Sequence, residues 1–543
     1  MSLRKREEIQ EMLRKVKRSY QLSAISYQLL LVLASSILLT LSFPNFNLWP
    51  LAWIGLIPLL FAIENQKPLK AFFLAYITGI LFFLGTVWWL IHVTLPGMIF
   101  VILYLALYFG FFGLILSYSL QLKAYSLLLV APAAWVALEW LRSNGMFGFG
   151  WVLLSHSQSQ NLPIIQISDI TGAYGVSYLI VIVNVSIYAA VKRFRAKSDY
   201  IAPLAVVSFL IFACLGYGYF RLNNIFTGEK LKVSVVQGNI PQDEKWDRDF
   251  REGILARYEV LTKKAAKEKT DLIVWPETSV PGFLESERDL FDRVKALAME
   301  ASAPLLVGTV REGPGAKGVE YYNSAVLFSE EGRVIDRYDK IHLVPFGEYI
   351  PFKNIFSFVE KFAPIPIGDC SQGRDYKTFS FFIERNSKNK DFNWRLVKKV
   401  RFSALICFED IFPGLVREFV KNGATFLVNI TNDAWYKKTS APFQHAASSV
   451  FRAVEYRVNV VRAANTGFSC FIDQKGRITD SVESNGDIFV EGFKSHEIVL
   501  TKTRTLYGIY GDIFSYVCIV LTFVFLLYHT GLKLAVKYAY LGK

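Results

Sequence analysis

Cysteine is scarce in this chain, with five among 543 residues. None falls in a zinc-type spacing, so no structural zinc module is expected. The usual glycine-rich phosphate loops are missing too, which leaves a nucleotide-handling function without a motif. Internal repeats and low-complexity tracts are absent. Acidic residues are outnumbered, 46 against 60 lysines and arginines, for a formal charge of +14. A basic excess can signal nucleic acid. Here it falls largely in short clusters beside apolar segments, the placement expected of membrane topology, and no nucleic-acid partner is expected.

Apolar sequence is what the chain has in quantity: 52% hydrophobic residues, 15% aromatic, and a mean hydropathy of +0.30. That is too apolar for an ordinary soluble protein, and the length allows two or more domains. Apolar runs lie near 26–43, 46–64, 71–93, 97–119, 124–141, 171–191 and 202–221, with an eighth at 513–532. A spanning helix needs about 20 apolar residues, so about eight spanning helices are expected. The basic segment before them carries Arg4, Lys5, Arg6, Arg14, Lys15, Lys17 and Arg18. It reads as a helix in the cytoplasm or on the inner leaflet, not as a cleavable signal, because the apolar run after it is long and leads into more.

Loop charges orient the spans. Lys67 and Lys70, Lys123, the cluster Lys192, Arg193, Arg195 and Lys197, and the tail with Lys533, Lys537 and Lys543 fall on the N-terminal, inner side. The loops at 44–45, 94–96 and 142–170 carry few positive charges and fall outside. The predicted division is a basic segment 1–24, seven spans within 25–224, an outside domain 225–508, an eighth span 509–534 and an inner tail 535–543. In a bacterium the outside is the periplasm and the membrane is the inner one.

The outside segment alternates strand and helix. Strands are expected at Leu231–Val236, Asp271–Trp275, Pro304–Val310, 321–329, 333–338, 401–407, 425–430, 460–465 and 468–473. Helices are expected at 247–268, 286–300, 412–421 and 442–457. That alternation gives an α/β sheet with helical cover. Three polar points follow strands, where such folds keep their chemistry. They are Trp275-Pro276-Glu277, the run Tyr338-Asp-Lys340-Ile-His-Leu-Val-Pro-Phe-Gly-Glu348, and Leu405-Ile406-Cys407-Phe408-Glu409-Asp410. Taken singly, each has an ordinary explanation: a surface acid, a solvated lysine, a small core thiol.

Together, Glu, Lys and Cys in this order and these contexts resemble the nitrilase superfamily, whose members use such a triad on an αββα sandwich. The full chain resembles its membrane-embedded branch, the apolipoprotein N-acyltransferases. The resemblance runs through Leu41-Ser-Phe-Pro-Asn-Phe-Asn-Leu-Trp-Pro-Leu-Ala-Trp53, Gly150-Trp151 with Ser157-Gln158-Ser159, and Gly172-Ala-Tyr-Gly-Val-Ser177. It continues in Val236-Gln-Gly-Asn-Ile-Pro-Gln242 with Trp246, and in Asn429-Ile-Thr-Asn-Asp-Ala-Trp435. The segment Glu384–Lys399 aligns with none of these motifs.

The resemblance implies acyl transfer from a phospholipid ester to the α-amino group of a diacylglyceryl apolipoprotein, through a Cys407 thioester. Lys340 is then expected to stabilise the oxyanion, and Glu277 to carry protons. Glu348 and Glu409 are the expected supporting carboxylates, and Trp246, Asn323 and Trp435 the expected pocket residues. No metal or cofactor is implied. His342 and His445 are the other candidate bases, set aside because the triad already supplies one. Beside the lysine, Phe352, Ile355, Phe356, Phe358 and Phe362 fall in an apolar helical stretch that reads as a lipid-access lid. Cys214 and Cys518 lie in expected spans. Cys370, Cys407 and Cys470 lie outside, in an oxidising compartment, and a nucleophilic Cys407 there must stay out of any disulfide. The competing readings are a membrane-tethered amidase acting on a small amide, and a catalytically dead scaffold.

Overall fold

The computed structural model describes residues 25–120, 124–144, 148–315, 318–345, 347–350, 370–386 and 395–541. The N-terminal segment 1–24 and the lid stretch with Phe352, Ile355, Phe356, Phe358 and Phe362 lie outside these residues.

Among the described residues, six helices are long and apolar enough to cross a membrane: Pro68–His92, Leu95–Ser119, Ser126–Asn144, Ala173–Arg195, Ile201–Asn223 and Ile513–Gly531. The first two expected spans form shorter apolar helices, Ile25–Leu41 and Trp49–Ile63. The second of these is broken into a 3-10 turn, Trp49–Trp53, and a helix, Ile57–Ile63. Pro50 and Pro58 stand in the first turn of their pieces, where a missing N–H is no loss. Asn184 on the neighbouring helix repairs the break. It accepts from the Leu56 N–H at 2.8 Å and donates to the Ala52 carbonyl at 2.9 Å. Lipid offers no such partner, so a break at membrane depth needs one from protein. The broken segment still runs from Trp53, bonded to Gln158 at 3.0 Å, to Glu64, paired with Lys192 at 2.6 Å. The last helix continues to Leu541, past the expected end at 534.

The strands that follow the helix Ile201–Asn223 are, in chain order, β1 (Glu229–Gln237), β2 (Leu272–Val274), β3 (Leu305–Gly315), β4 (Gly318–Phe328), β5 (Val334–Asp339) and β6 (Phe379–Asn386). After them come β7 (Arg395–Ile406), β8 (Phe426–Thr431), β9 (Asn459–Ala464), β10 (Cys470–Ile472), β11 (Ile478–Ser481) and β12 (Gly492–Leu500). They form two six-stranded sheets, β12-β1-β2-β3-β4-β5 and β11-β10-β9-β8-β7-β6. The centres of both are parallel, β1-β2-β3 and β7-β8-β9, and the margins are antiparallel.

Side chains alternate as a strand's period of two requires. Leu231, Val233, Val235, Leu272, Val274, Ala325 and Leu327 enter the core shared with the second sheet's Phe402 and Ala404. Val236, Ile273, Leu305, Val307, Val326 and Phe328 pack instead with Ile254, Tyr258, Leu290 and Val294, from the helices Arg251–Ala266 and Arg288–Ala301. The helices Pro413–Lys421 and Ala441–Tyr456 complete the layers beside the second sheet. The result is the expected αββα sandwich. Its shared core is continuous with that of the membrane helices, reaching Leu74, Trp89 and Trp151.

Three strands, β6, β11 and β12, exceed the sequence expectation. Of the segment Glu384–Lys399, the described residues 384–386 and 395–399 pair antiparallel as parts of β6 and β7, with Glu384 opposite Val397 and Asn386 opposite Arg395. The expected strand 401–407 begins at Arg395 and stops at Ile406, which leaves Cys407 in the turn beyond it.

Candidate active site

Each residue of interest stands just past a strand. Glu277 follows β2, Lys340 follows β5 directly, and Cys407 follows β7 directly. Two of these turns hold backbone in the left-handed region outside glycine, with φ of +56° at Cys407 and +43° at Thr278, beside Glu277. Such residues cost roughly 1–3 kcal/mol each and persist only where the surroundings fix them. The surroundings do so here. The Cys407 carbonyl accepts from Asn429 Nδ2 at 2.8 Å and from His445 Nε2 at 3.2 Å. On the other turn, Gly308 of β3 lies so close that an added Cβ would meet the Pro276 carbonyl at 2.2 Å and the Glu277 Cα at 2.7 Å.

The Lys340 ammonium is 1% exposed and lies among carboxylates, 2.9 Å from Glu348 Oε2 and 3.5 Å from Glu277 Oε1. Burial opposes its charge, but Glu348 and Glu277 outweigh burial and hold it protonated. Its ammonium also lies 5.4 Å above the ring of Phe408, the residue after Cys407. Asn323 donates to both acids, at 2.8 Å to Glu277 and 2.7 Å to Glu348. It works as a spacer between two like charges as well as a wall of the pocket.

Glu409 is fully buried and joins two turns by their backbones. One oxygen accepts from Tyr338 Oη (2.8 Å) and from the N–H groups of Ile341 (2.8 Å) and His342 (3.0 Å). The other accepts from the Ile406 N–H at 2.8 Å. The segment just past Lys340 and the residue just before Cys407 are thereby tied to one carboxyl. Burial pushes that carboxyl up to about 7, against the pull of these donors and Lys340.

The Cys407 thiol is 7% exposed. Burial pushes it well above the ordinary thiol range, the Glu277 charge pushes it further, and Lys340 pulls it back. At rest the thiol therefore keeps its proton. Trp246, Asn323 and Trp435 line one cleft of about 490 Å³ with Glu277, Glu348, Cys370 and Gln242. Trp435 is 37% exposed at its rim.

His342 stacks on Phe412 at 4.3 Å, and burial lowers its pKa. His445 is fully buried and bridges Asp433 at 3.1 Å and Asp410 at 3.0 Å. Burial opposes its charge, yet Asp410 lifts it to about 9, so it is an imidazolium that gives both N–H groups to fixed acceptors. It is spent on structure rather than available as a base. Among the described residues no disulfide forms, and no cluster of three or more His, Cys, Asp or Glu could hold a metal ion.

Lys245 was not singled out in the sequence. It is 3% exposed and donates to the Glu277 main-chain carbonyl at 3.0 Å. Burial lowers it to about 8, while Glu277 and Cys407 work in the opposite direction. A lysine between Gln242 and Trp246, inside a quoted motif, was the available signal. Asn429 had a clearer one, as a polar residue between the apolar Val428 and Ile430 of strand β8.

Known proteins resemble the chain over both halves. The family described as apolipoprotein N-acyltransferase N-terminal domain matches residues 35–186, and the carbon-nitrogen hydrolase family matches 232–490. An apolipoprotein N-acyltransferase of Geobacter metallireducens is 39% identical over 507 residues, covering 90% of this chain and 93% of that one. Those of Chlorobaculum tepidum and Haemophilus influenzae are 32% and 28% identical, covering 91% and 92% of this chain and 95% and 94% of theirs.

Proposed function

The chain belongs to the apolipoprotein N-acyltransferase family, and on that premise we propose a two-step acyl transfer, from a phospholipid to a lipoprotein, through a thioester on Cys407. The observation that carries it is Lys340 held between Glu277 and Glu348 at 3.5 and 2.9 Å, with all three close enough to Cys407 to shift its thiol. In the first step Cys407 Sγ attacks the ester carbonyl carbon of the donor while Glu277 takes the thiol proton. The Lys340 ammonium stabilises the oxyanion. The carbon–oxygen bond then breaks, Glu277 returns the proton to the leaving alkoxide, and a lysophospholipid departs. In the second step the α-amino group of a diacylglyceryl-cysteine attacks the thioester and loses a proton to Glu277. A carbon–nitrogen bond forms, the carbon–sulfur bond breaks, and the thiolate recovers its proton.

Family membership over residues 35–186 sets aside the small-amide reading, which needs no such membrane half. Glu348 and Asn323 keep Lys340 and Glu277 in register, Glu409 holds the turn, and Trp246 and Trp435 flank the entering groups. The charge of the short loops favours an inner-membrane protein with the catalytic domain in the periplasm.

Intact mass after incubation with phospholipid vesicles tests this function. The protein should gain one acyl chain, Cys407→Ala should gain none, and a diacylglyceryl-cysteine peptide should discharge the adduct faster than water does. An adduct that survives in Cys407→Ala, or discharge by water as fast as by peptide, overturns the reading.

A further inference from the structure

Next to His445, which holds the Cys407 carbonyl, one amide of the catalytic half gathers several groups of the membrane half. Gln444 is 3% exposed, in the first turn of the helix Ala441–Tyr456. Its Oε1 accepts from two indoles of the membrane half, Trp89 Nε1 and Trp151 Nε1, each at 3.1 Å. Its Nε2 donates to the Thr86 carbonyl at 2.9 Å and the Pro44 carbonyl at 3.3 Å, and to Ser440 Oγ at 3.2 Å. Three separate stretches of the membrane half thus end on one side chain. The next residue is His445, whose Nε2 reaches the carbonyl of the strained Cys407. Trp151 makes a second contact there: its ring lies 4.9 Å from the His445 imidazole. Trp151 is itself fixed from the membrane side, because Arg142 donates to the carbonyls of Trp151 at 3.1 Å and Val152 at 3.2 Å.

We propose that Gln444 and Trp151 are positioning residues through which the membrane half holds His445, and through it the Cys407 turn, in its reactive shape. The membrane half is then a working part of the nucleophile and not only an anchor. A left-handed cysteine relaxes unless its carbonyl is held. His445 supplies one of the two donors to that carbonyl, and both its neighbour Gln444 and the ring packed on it are set by the membrane half. A turn displaced by about 1 Å can cost roughly a hundredfold in rate. The inference rests on Cys407 being the nucleophile.

The test measures alkylation of Cys407 by iodoacetamide, a small water-soluble probe, between pH 6 and 10 on the full-length protein in detergent. Peptide mass reads the product, and acyl-enzyme formation from phospholipid is followed in parallel. The charged groups facing the thiol are Glu277, Lys340, Glu348, Asp433 and Lys245, and those facing His445 are Asp410, Asp433 and Arg462. None is altered by the variants. Gln444→Leu should slow alkylation about tenfold or more and displace its pH profile. Trp151→Phe, which loses the indole N–H and part of the ring packed on His445 but keeps an aromatic group there, should give a smaller change in the same direction. Trp53→Phe removes the 3.0 Å bond to Gln158 elsewhere in the membrane half and should leave the profile in place.

An unchanged alkylation profile in folded Gln444→Leu overturns the inference, even if lipid acylation falls, since Gln444 would then only seat the halves for lipid entry. Should Gln444→Leu fail to fold, an unchanged profile in Trp151→Phe overturns it equally. A displaced profile in a protein that never forms an acyl-enzyme supports the inference and overturns the functional reading instead.

Discussion

Lys245 and Glu409 are buried ionisable residues whose burial opposes their charge, with opposite consequences for pH. For Lys245 the folded value, about 8, lies below the ordinary lysine value of 10.5. The unfolded chain binds more protons between those values, so stability rises with pH across that window, and the ammonium is a cost at neutral pH. The charge is useful because it faces Cys407 and favours the thiolate. Lys245→Met should slow acyl-enzyme formation about tenfold at pH 7, the effect of one unit on the thiol. The parent's rate should decline as pH rises through about 8, where Lys245 loses its charge, and the variant should lack that decline. Rates from pH 6 to 9.5 check this, and a decline that persists in the variant removes Lys245 as its source. For Glu409 the folded value, about 7, lies above the ordinary 4.5. Its stabilising contribution is complete below about 4.5 and is lost as pH rises through about 7. Glu409→Gln places an N–H₂ group against backbone donors at one of the two turns. It should destabilise the fold by about 1–3 kcal/mol and cut acyl-enzyme formation about a hundredfold. Thermal melts and intact mass check both numbers, and a variant that melts and acylates like the parent shows that the tie does not matter.

Strand β3 carries a comparable constraint in Gly308, whose missing side chain lets the Glu277 turn lie against the sheet. Gly308→Ala brings a methyl group within 2.2 Å of the Pro276 carbonyl, and backbone must move because no flexible side chain can. The variant should fold with a lower melting temperature and lose acyl-enzyme formation about a hundredfold, while Cys407 stays alkylatable. Loss of alkylation as well would show that the damage spreads beyond the turn. Gly308 was invisible in the sequence, because a glycine at a close approach looks like any other. What was legible were the central strands, whose apolar runs are buried on both faces, and the residues standing just beyond them. Of the four edge strands, β5 was expected at 333–338, and β6, β11 and β12 were not. Strand β12 reads Gly-Phe-Lys-Ser-His-Glu-Ile-Val-Leu and is mostly half-buried, so it carries no apolar period. Strand β6 could have been found, because Phe379, Phe381 and Ile383 alternate and are buried. Glu277, Lys340 and Cys407 could be named from their contexts. Gln444 could not, and Lys245 offered only its place between Gln242 and Trp246, since the contacts of both are with chain far away in sequence.

At the scale of the whole molecule, the two halves share one apolar core and a set of interfacial ion pairs. Asp169, in the loop between two spans, is bound by Arg457 at 2.7 Å from the catalytic half and by Arg221 at 2.9 Å from the membrane half. Pro44, Trp89 and Trp151 all reach the catalytic half, so the loops after the first, third and fifth apolar segments lie on its side. The opposite side is fixed by the 2.6 Å pair between Glu64 and Lys192, which puts the loop carrying Lys67 and Lys70 beside Arg193, Arg195 and Lys197. Short loops rich in lysine and arginine stay in the cytoplasm, so the catalytic half should face the other way. Two single cysteines test it in a Cys407→Ala background, in which the other native cysteines are buried or half-buried. Asp249→Cys is exposed on the catalytic half and Ser198→Cys is exposed beside the basic cluster. A membrane-impermeant maleimide should label Asp249→Cys in intact spheroplasts, and Ser198→Cys only after lysis. The reverse pattern would put the thiol in the reducing cytoplasm, away from the compartment in which the donor and acceptor are expected to meet, and would require the charge reading of every short loop to be inverted.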